Sequence, residues 1–299
     1  MNNNKKLKNK PNIFYKYLTA EAGINVLNNE TIRFSNPKCF NDPFDSDMPF
    51  IIKNSRALTN NDFLKFINLL KTSEDLKIFL PTNFNITEIE EVLKNANYKI
   101  DPYEHLKVIL APMKNKMRVL SLSEQNDNLL MWGHYCHNHE GIVIGFYNNC
   151  NALKNIIKVP YSEKIPEING KILEDFTLET SEALNELRTI LQTKSNDWSY
   201  EQEWRCAIDV EKTYKYFSNL SAVQNVSRQF LNELKRHENY IHYPFSKNSV
   251  HSIYLGLNIN IIDEYGIIML KKNKYPNANI FKASLSKEEF KIIFKKLDV

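Results

Sequence analysis

The chain has 299 residues, 42% of them hydrophobic and 25% charged, a composition typical of a folded globular protein. Its 39 basic and 35 acidic residues leave a net charge of +4, which is too small to indicate nucleic-acid binding by itself. Apolar runs stay well short of the roughly 20 residues of a membrane span. The four cysteines form no CxxC pair, so we expect reduced thiols and a cytoplasmic location without a membrane partner.

The first predicted elements form a strand–helix–strand unit. Alternating aromatic positions in residues 13–18 predict a strand. Thr19 is a suitable N-cap for a short helix that extends through Leu27. Residues 31–34 predict a second strand, and residues 36–43 predict an irregular loop, because a residue before proline is driven away from the helical region.

Helical periodicity then dominates residues 60–113, which we interpret as a helical insertion. Amphipathic helices are predicted over residues 175–192 and 220–234, and a closing helix over residues 287–297. Further strands are predicted over residues 118–123, 141–146, 204–210, 252–257 and 280–283.

Strands and helices interleave here without a regular βαβ alternation, which predicts an α+β fold with a mixed central sheet. We expect one domain over residues 13–299, with the helical insertion inside it. Residues 1–12 predict a flexible basic tail in front of that domain.

Three short segments, residues 40–45, 130–141 and 200–205, hold most of the reactive side chains. Each mixes aromatic rings with carboxylates, imidazoles or a guanidinium, as expected where a ligand is stacked and its charge is neutralised. A fold that brings the three together would form one composite cleft, and this favours an enzyme.

The third segment places two carboxylates, Glu201 and Glu203, two residues apart. In a loop that enters a strand, the first can approach a substrate while the second lies deeper. Such a pair suits sugar-ring chemistry, because a carboxylate stabilises an oxocarbenium-like transition state. A surface ion pair between either glutamate and Arg205 at a strand edge explains the pattern equally well.

In the first segment, turn chemistry is a sufficient explanation for Asn41 and Asp42, whose side chains cap backbone donors. Asp45 is harder to explain in this way, because it follows the turn. A metal site would need more oxygen or nitrogen ligands than this loop supplies, so we expect none there.

The middle segment contains three histidines whose spacing is poor for zinc, so we expect no metal. Trp132, His134 and Tyr135 would instead form a wall that stacks on a ligand and hydrogen-bonds to it. On the first strand, Lys16 faces opposite to its two tyrosine neighbours, and the unit that follows can place a polar side chain beside Ser35.

The motifs at residues 15–17, 40–45, 120–146 and 200–205 together resemble a widespread bacterial family of unknown function. These motifs include FNDPFD, MW-x-HY, HxGIxIGF and Y-E-x-E-W-R. The opening strand–helix–strand and the late Glu-x-Glu also loosely resemble the layout of ADP-ribosyltransferases.

The second resemblance implies that a first-strand polar residue holds NAD, that aromatic rings sandwich the nicotinamide, and that a late glutamate binds the ribose. Lys16 or Tyr17 would stand at the first-strand position, Ser35 near the second strand, and Glu203 at the glutamate. The chain departs from that layout because the first-strand histidine or arginine is replaced by lysine, and the MWGHY segment has no counterpart.

We therefore expect an ADP-ribosyltransferase-like enzyme that uses NAD and acts as a toxin or phage-defence effector. Its acceptor would be a protein or nucleic acid, and an antitoxin or defence-system partner would restrain it. Arg205 or Lys16 would meet the pyrophosphate. The expected catalytic residues are Glu203, Glu201 and His134. The expected NAD-binding residues are Lys16, Tyr17, Ser35, Asn41, Asp42, Asp45, Trp132, Tyr135 and Arg205.

Two alternatives are compatible with the same motifs. The first is a metal-dependent nuclease or nucleotide hydrolase, with acid, base or ligand roles for Asp42, Asp45, His134 and His139. It requires Asp45 and His134 within ligand distance of each other. The second is a non-catalytic RNA- or protein-binding module, which requires solvent-exposed Trp132 and Trp204 as stacking platforms.

Overall fold

The computed structural model describes residues 10–47, 49–62, 99–171, 192–220 and 226–299, with the single positions 64, 65, 68, 88 and 91. Most of the predicted tail, most of the insertion before residue 99, and nearly all of the helix predicted over residues 175–192 lie outside the described residues.

Within those ranges the chain alternates irregularly between strands and helices, which confirms the predicted α+β fold. The strands are β1 (Ile13–Leu18), β2 (Thr31–Ser35), β3 (Ile51–Lys53), β4 (Leu58–Thr59), β5 (Lys99–Ile100), β6 (Met117–Ser123), β7 (Ile142–Tyr147), β8 (Ile157–Lys158), β9 (Tyr161–Ser162), β10 (Glu167–Asn169), β11 (Lys194–Ser195), β12 (Glu203–Asp209), β13 (Tyr240–Pro244), β14 (Val250–Leu255), β15 (Asn279–Leu285) and β16 (Ile292–Lys296). The helices are α1 (Ala20–Asn29), α2 (Pro43–Ser46), α3 (Pro102–Lys116), α4 (Leu129–Tyr135), α5 (Val210–Leu220), α6 (Arg228–Lys235) and α7 (Ile261–Lys274).

A central sheet of ten strands organises the molecule, and most of its pairs are antiparallel. Strand β6 pairs with β12 along its full length on one edge. Its other edge is shared, because β1 meets it at Ser123 and β2 meets it at Val119. The two strands diverge between these points, and α1 connects them. The sheet therefore has a gap between β1 and β2, opposite the middle of β6.

Two apolar clusters cover the two faces of the sheet. Phe14, Leu120 and Trp204 belong to the larger one, beneath α1 and α6. Tyr17 and Trp132 belong to the smaller one, where α4 packs on the opposite face. Because side chains alternate along a strand, residues next to Trp204 in sequence point toward the α4 side.

The strand–helix–strand prediction is confirmed, including the cap: the Thr19 side chain accepts a hydrogen bond from the Ala22 backbone N–H at 3.2 Å. The predicted closing helix over residues 287–297 is wrong. Its apolar residues form β16, antiparallel to β15, and this pairing buries Ile292 in the smaller apolar cluster.

The helix predicted over residues 220–234 is not continuous, because residues 226–227 are not helical; residues 221–225 lie outside the described residues. Helix α5 ends at Leu220, α6 begins at Arg228, and residues 226–227 belong to neither. Strand β13 and helix α7 were not predicted from the sequence. In the described part of the chain, no helix is long and apolar enough to cross a membrane.

Candidate active site

Five charged side chains meet where β12 begins, and we call them the buried charge cluster: Asp45, Lys194, Glu201, Glu203 and Arg205. Lys194 Nζ donates to Glu201 Oε2 at 2.5 Å and to Glu203 Oε2 at 3.2 Å. Arg205 donates to both oxygens of Glu203 at 2.7 and 3.0 Å, and to both oxygens of Asp45. Each side chain is at most 7% exposed. Acids and bases alternate through the cluster, as burial of charge requires.

A tight turn brings the two glutamates to one lysine. A 3₁₀ helix, Asn196–Glu201, ends at Glu201, and Gln202 then has a left-handed backbone with a φ of 44°. This reversal lets Glu201 face the same way as Glu203 at the start of β12. The Ser123 hydroxyl donates to the Glu201 carbonyl oxygen at 2.7 Å and fixes the turn against β6. Glu201 is thus the last residue of the 3₁₀ helix and Glu203 the first residue of β12, and the two are equally buried.

The two carboxyl groups have pKa values that are displaced in opposite directions. Burial by itself would raise the pKa of Glu203, but Arg205 and Lys194 hold it down at about 2. Burial raises the pKa of Glu201 above its ordinary value, although Lys194 opposes this change. At neutral pH, Glu203 is therefore a fixed anion, while Glu201 can exchange a proton more readily. Separated carboxyl pKa values often mark acid and base roles in an active site.

Tyr135 connects Glu201 to the surface of the molecule. Its hydroxyl donates to Glu201 Oε1 at 2.5 Å, and the Asn41 side chain lies close to the same hydroxyl. Burial and the neighbouring Glu201 raise the Tyr135 pKa, so the phenol remains a donor. Asn41 and His134 are exposed. The MWGHY segment, as α4, therefore brings one hydroxyl directly to the cluster.

An aromatic rim borders this entrance. The His134 ring lies 6.2 Å from the Tyr200 ring, which lies 6.1 Å from Trp198. Lys194 Nζ stands 4.8 Å from the centre of the Trp198 ring. The rim thus continues into the charge cluster through a cation–π contact. His134 is at the rim, and none of the described hydrogen bonds joins it to either glutamate.

Lys16 lies at the gap between β1 and β2. Its ammonium donates to the Ser121 carbonyl oxygen of β6 at 2.9 Å, between the points where β1 and β2 pair with that strand. Burial and the nearby Arg33 lower the pKa of Lys16 to about 8, although Glu203 and Glu201 favour its charged form. Ser35, at the end of β2, pairs with Val119 two residues away from Ser121. Lys16 and Ser35, the two candidates from the two strands of the strand–helix–strand unit, therefore both border the gap.

Three of the expected ligand contacts need correction. Trp132 is fully buried, with its ring against Tyr17 and its Nε1 donating to the Asn126 carbonyl oxygen at 2.8 Å. The Tyr17 hydroxyl donates to the Gln125 carbonyl oxygen at 3.0 Å in the same apolar cluster. Neither ring has a free face for NAD. Asp42 caps α2 by accepting from the Phe44 N–H at 2.9 Å, which is the turn role.

Arg205 also differs from expectation, because four of its five N–H donors already bind Glu203 and Asp45. It positions two carboxylates and has little capacity left for a pyrophosphate. The alternative of a surface ion pair for this arginine is wrong as well, since Glu203 and Arg205 are buried.

The requirements of the two alternative functions can be compared with this geometry. Among the described residues, no three His, Cys, Asp or Glu side chains lie close enough together to hold a metal ion. Asp45, which the nuclease hypothesis uses as a ligand, is bound by Arg205. The binding-module hypothesis needs exposed Trp132 and Trp204, and this prediction is wrong because both are buried.

Four features of the site were not predicted from the sequence, namely Lys194, Tyr161, Trp198 and a rim role for Tyr200. The Tyr161 hydroxyl accepts from the Glu203 backbone N–H at 2.8 Å. Lys194 reaches the cluster because β11 runs parallel to β9, a pairing of two residues in each strand that leaves no periodic pattern. Only the seven-residue spacing of Lys194 before Glu201, and the aromatic residues between them, could have suggested the contact.

Residues 131–206 match the model of a family described as "Protein of unknown function (DUF2971)". The match begins in α4 and ends in β12, so it contains Tyr135, Lys194, Glu201, Glu203 and Arg205. The loop with Asp45 and the first strand lie outside it. Comparisons with curated proteins and with solved structures gave no significant match. Part of the chain, including most of the buried charge cluster, is thus similar to a domain family whose function is unknown.

Proposed function

We propose that the chain is an ADP-ribosyltransferase-like enzyme that takes NAD as substrate and uses the buried charge cluster as its active site. One observation supports this most strongly. Glu201 and Glu203 converge on a single lysine, yet their surroundings drive their pKa values apart. An ion pair with a purely structural role would need only Glu203, and would not need Glu201 as a second carboxylate with a raised pKa.

The two glutamates have different roles in this proposal. Glu203, held ionised by Arg205 and Lys194, faces the positive charge that develops on the ribose as the bond to nicotinamide breaks. Glu201 accepts the proton of the attacking acceptor, because its raised pKa brings it closer to neutral pH. Tyr135 orients Glu201 through their 2.5 Å hydrogen bond.

The ligand approaches from the side of Asn41, His134 and Tyr200, where the cluster is closest to solvent. The loose resemblance to ADP-ribosyltransferases further supports a protein or nucleic-acid acceptor. It also supports a toxin or phage-defence role with an antitoxin or defence-system partner.

The test is consumption of labelled NAD by the wild type and by Glu203→Gln and Glu201→Gln, with protein and nucleic-acid acceptors supplied. We expect each variant to lose roughly 10²–10³-fold in turnover, the range for removal of one charge-stabilising or proton-transferring group. Glu167→Gln is the matched control, because Glu167 is half-exposed and, within the described part of the chain, its ion pair is with Lys53 on the surface. It should retain full turnover.

Melting temperatures of all the proteins separate lost chemistry from lost folding. Equal turnover in wild type and Glu203→Gln, or no turnover by the wild type with any acceptor, would refute the proposal.

A further inference from the structure

A second feature lies on the other side of the gap from the buried charge cluster. It is a cleft of about 930 Å³ between α1, β2, β13 and α6, and Lys16 is among its lining residues. This volume is near the upper end of the roughly 300–1,000 Å³ found for small-molecule sites. The mechanism proposed above does not use this space.

The acidic residues that line the cleft already have partners. Glu233 accepts from the His242 backbone N–H at 2.7 Å and lies 3.0 Å from His242 Nδ1. Glu30 pairs with Lys247 at 3.3 Å and with Lys274 at 3.7 Å. Each of these acidic side chains therefore already has hydrogen-bond or ion-pair partners within the protein.

The two cations that border the gap are in a different situation. Lys16 donates to an uncharged carbonyl oxygen, and Arg33 stacks over the Tyr240 ring with 4.8 Å between the guanidinium carbon and the ring centre. Among the described residues, neither has a carboxylate within ion-pairing distance. Glu203 and Glu201 act on Lys16 only at longer range, and Arg33 repels it. Two neighbouring cations without ion pairs favour an anionic ligand.

The rest of the cleft is suited to a ligand larger than an inorganic ion. Phe217, which is partly buried, contributes an apolar wall, and its ring packs edge to face at 5.1 Å on the buried Phe230. Asn25 and Asn29 of α1 add amide groups on the same lining. An anion at one end with apolar and amide surface beyond it suits a nucleotide, whose phosphates and ring system need both.

We propose that this cleft binds a nucleotide phosphate or pyrophosphate, with the anion against Lys16 and Arg33 and the remainder along the wall of Phe217 and Phe230. The choice of a nucleotide as the ligand rests on the proposed function. The preference for an anion does not, because it follows from Lys16 and Arg33. Inorganic phosphate shares the anionic chemistry, and the experiment separates the two sources.

The test is isothermal titration calorimetry of the full chain with ADP-ribose, ADP, pyrophosphate and inorganic phosphate. We expect ADP-ribose and ADP to bind, and inorganic phosphate to bind more weakly because it leaves the apolar wall uncovered. Lys16→Met and Arg33→Gln should each weaken ADP binding by roughly tenfold or more, the loss expected for a charge-assisted hydrogen bond. Lys291→Met, which removes a half-exposed surface lysine, is the matched control and should bind like the wild type.

Arg33 is exposed, so its substitution leaves the fold intact even if Lys16→Met does not. The proposal fails if none of the four ligands binds at millimolar concentration, or if ADP binds equally well to wild type and Arg33→Gln. It also fails if only inorganic phosphate binds. ADP binding that depends on both cations, without NAD turnover, would retain the cleft and reject the enzymatic proposal. If NAD is turned over but neither substitution affects ADP binding, the enzymatic proposal is retained and the cleft proposal is rejected.

Discussion

Lys194 is the residue on which the charge balance of the site depends. It is the only cation of the buried charge cluster that contacts both glutamates. The pattern of local sequence predicted Glu201, Glu203 and Arg205 because they fall within five residues. Lys194 and Tyr161 could not be predicted in this way, because their contacts depend on how loops before β12 fold back.

Lys194→Met should destabilise the protein by on the order of 3 kcal/mol at pH 7, because it leaves two buried carboxylates with one fewer counter-charge. Urea denaturation measures this loss. Adding Glu201→Gln to the variant should recover part of it, since the uncompensated acid is then neutral. Lys53→Met, at a half-exposed pair with Glu167, should cost less than about 1 kcal/mol. Equal losses for the two lysines would contradict the argument.

Glu203 should make stability sensitive to acid. Its pKa in the folded protein is about 2, below the ordinary 4.5, so its contribution is complete above pH 4.5 and is lost as pH falls toward 2. The contribution is on the order of 3 kcal/mol, from about 1.4 kcal/mol for each pH unit.

The measurement is the difference in unfolding free energy between wild type and Glu203→Gln, followed from pH 6 to pH 2. We expect this difference to shrink below pH 4.5. A constant difference across the range would show that Glu203 does not have a depressed pKa.

Helices and strands were predicted most accurately where the local sequence pattern and the tertiary pairing agree. Strand β1 and helix α1 have their own alternation and cap, and both were predicted within two residues. The closing helix was predicted wrongly because the apolar residues of β16 fit helical spacing, whereas its pairing with β15 decides the structure. Edge strand β13 depends on a distant partner, because its Tyr240 pairs opposite Ser35 of β2.

The turn from α4 into β7 depends on one glycine. A Cβ atom on Gly141 would lie 2.1 Å from the Leu18 carbonyl oxygen, whereas one on Gly133 would meet nothing within 4 Å. Gly141→Ala should therefore cost more than about 2 kcal/mol through a forced backbone shift, which would also move Tyr135. Gly133→Ala, inside α4, should be neutral or stabilise by up to about 1 kcal/mol. Thermal unfolding of the two variants checks the contrast, and similar melting temperatures would contradict it.

At the scale of the whole molecule, the site exists only when the complete fold has formed. Asp45 and Arg205 are separated by 160 positions, and Tyr135 and Glu201 by 66. The three motif segments do meet, through Asp45, Tyr135 and the two glutamates. Their convergence was expected from their shared chemistry. The order of contacts, with Arg205 between Glu203 and Asp45, could be seen only in the three-dimensional structure.

The most direct test of the central claim is a crystal structure of Glu201→Gln, the variant expected to turn over slowly, with NAD bound. We predict the ribose next to the nicotinamide within about 3 Å of the Glu203 carboxylate, or of the substituted side chain at position 201. NAD bound away from both positions would contradict the account. So would crystals grown at saturating NAD in which no NAD is bound at the buried charge cluster.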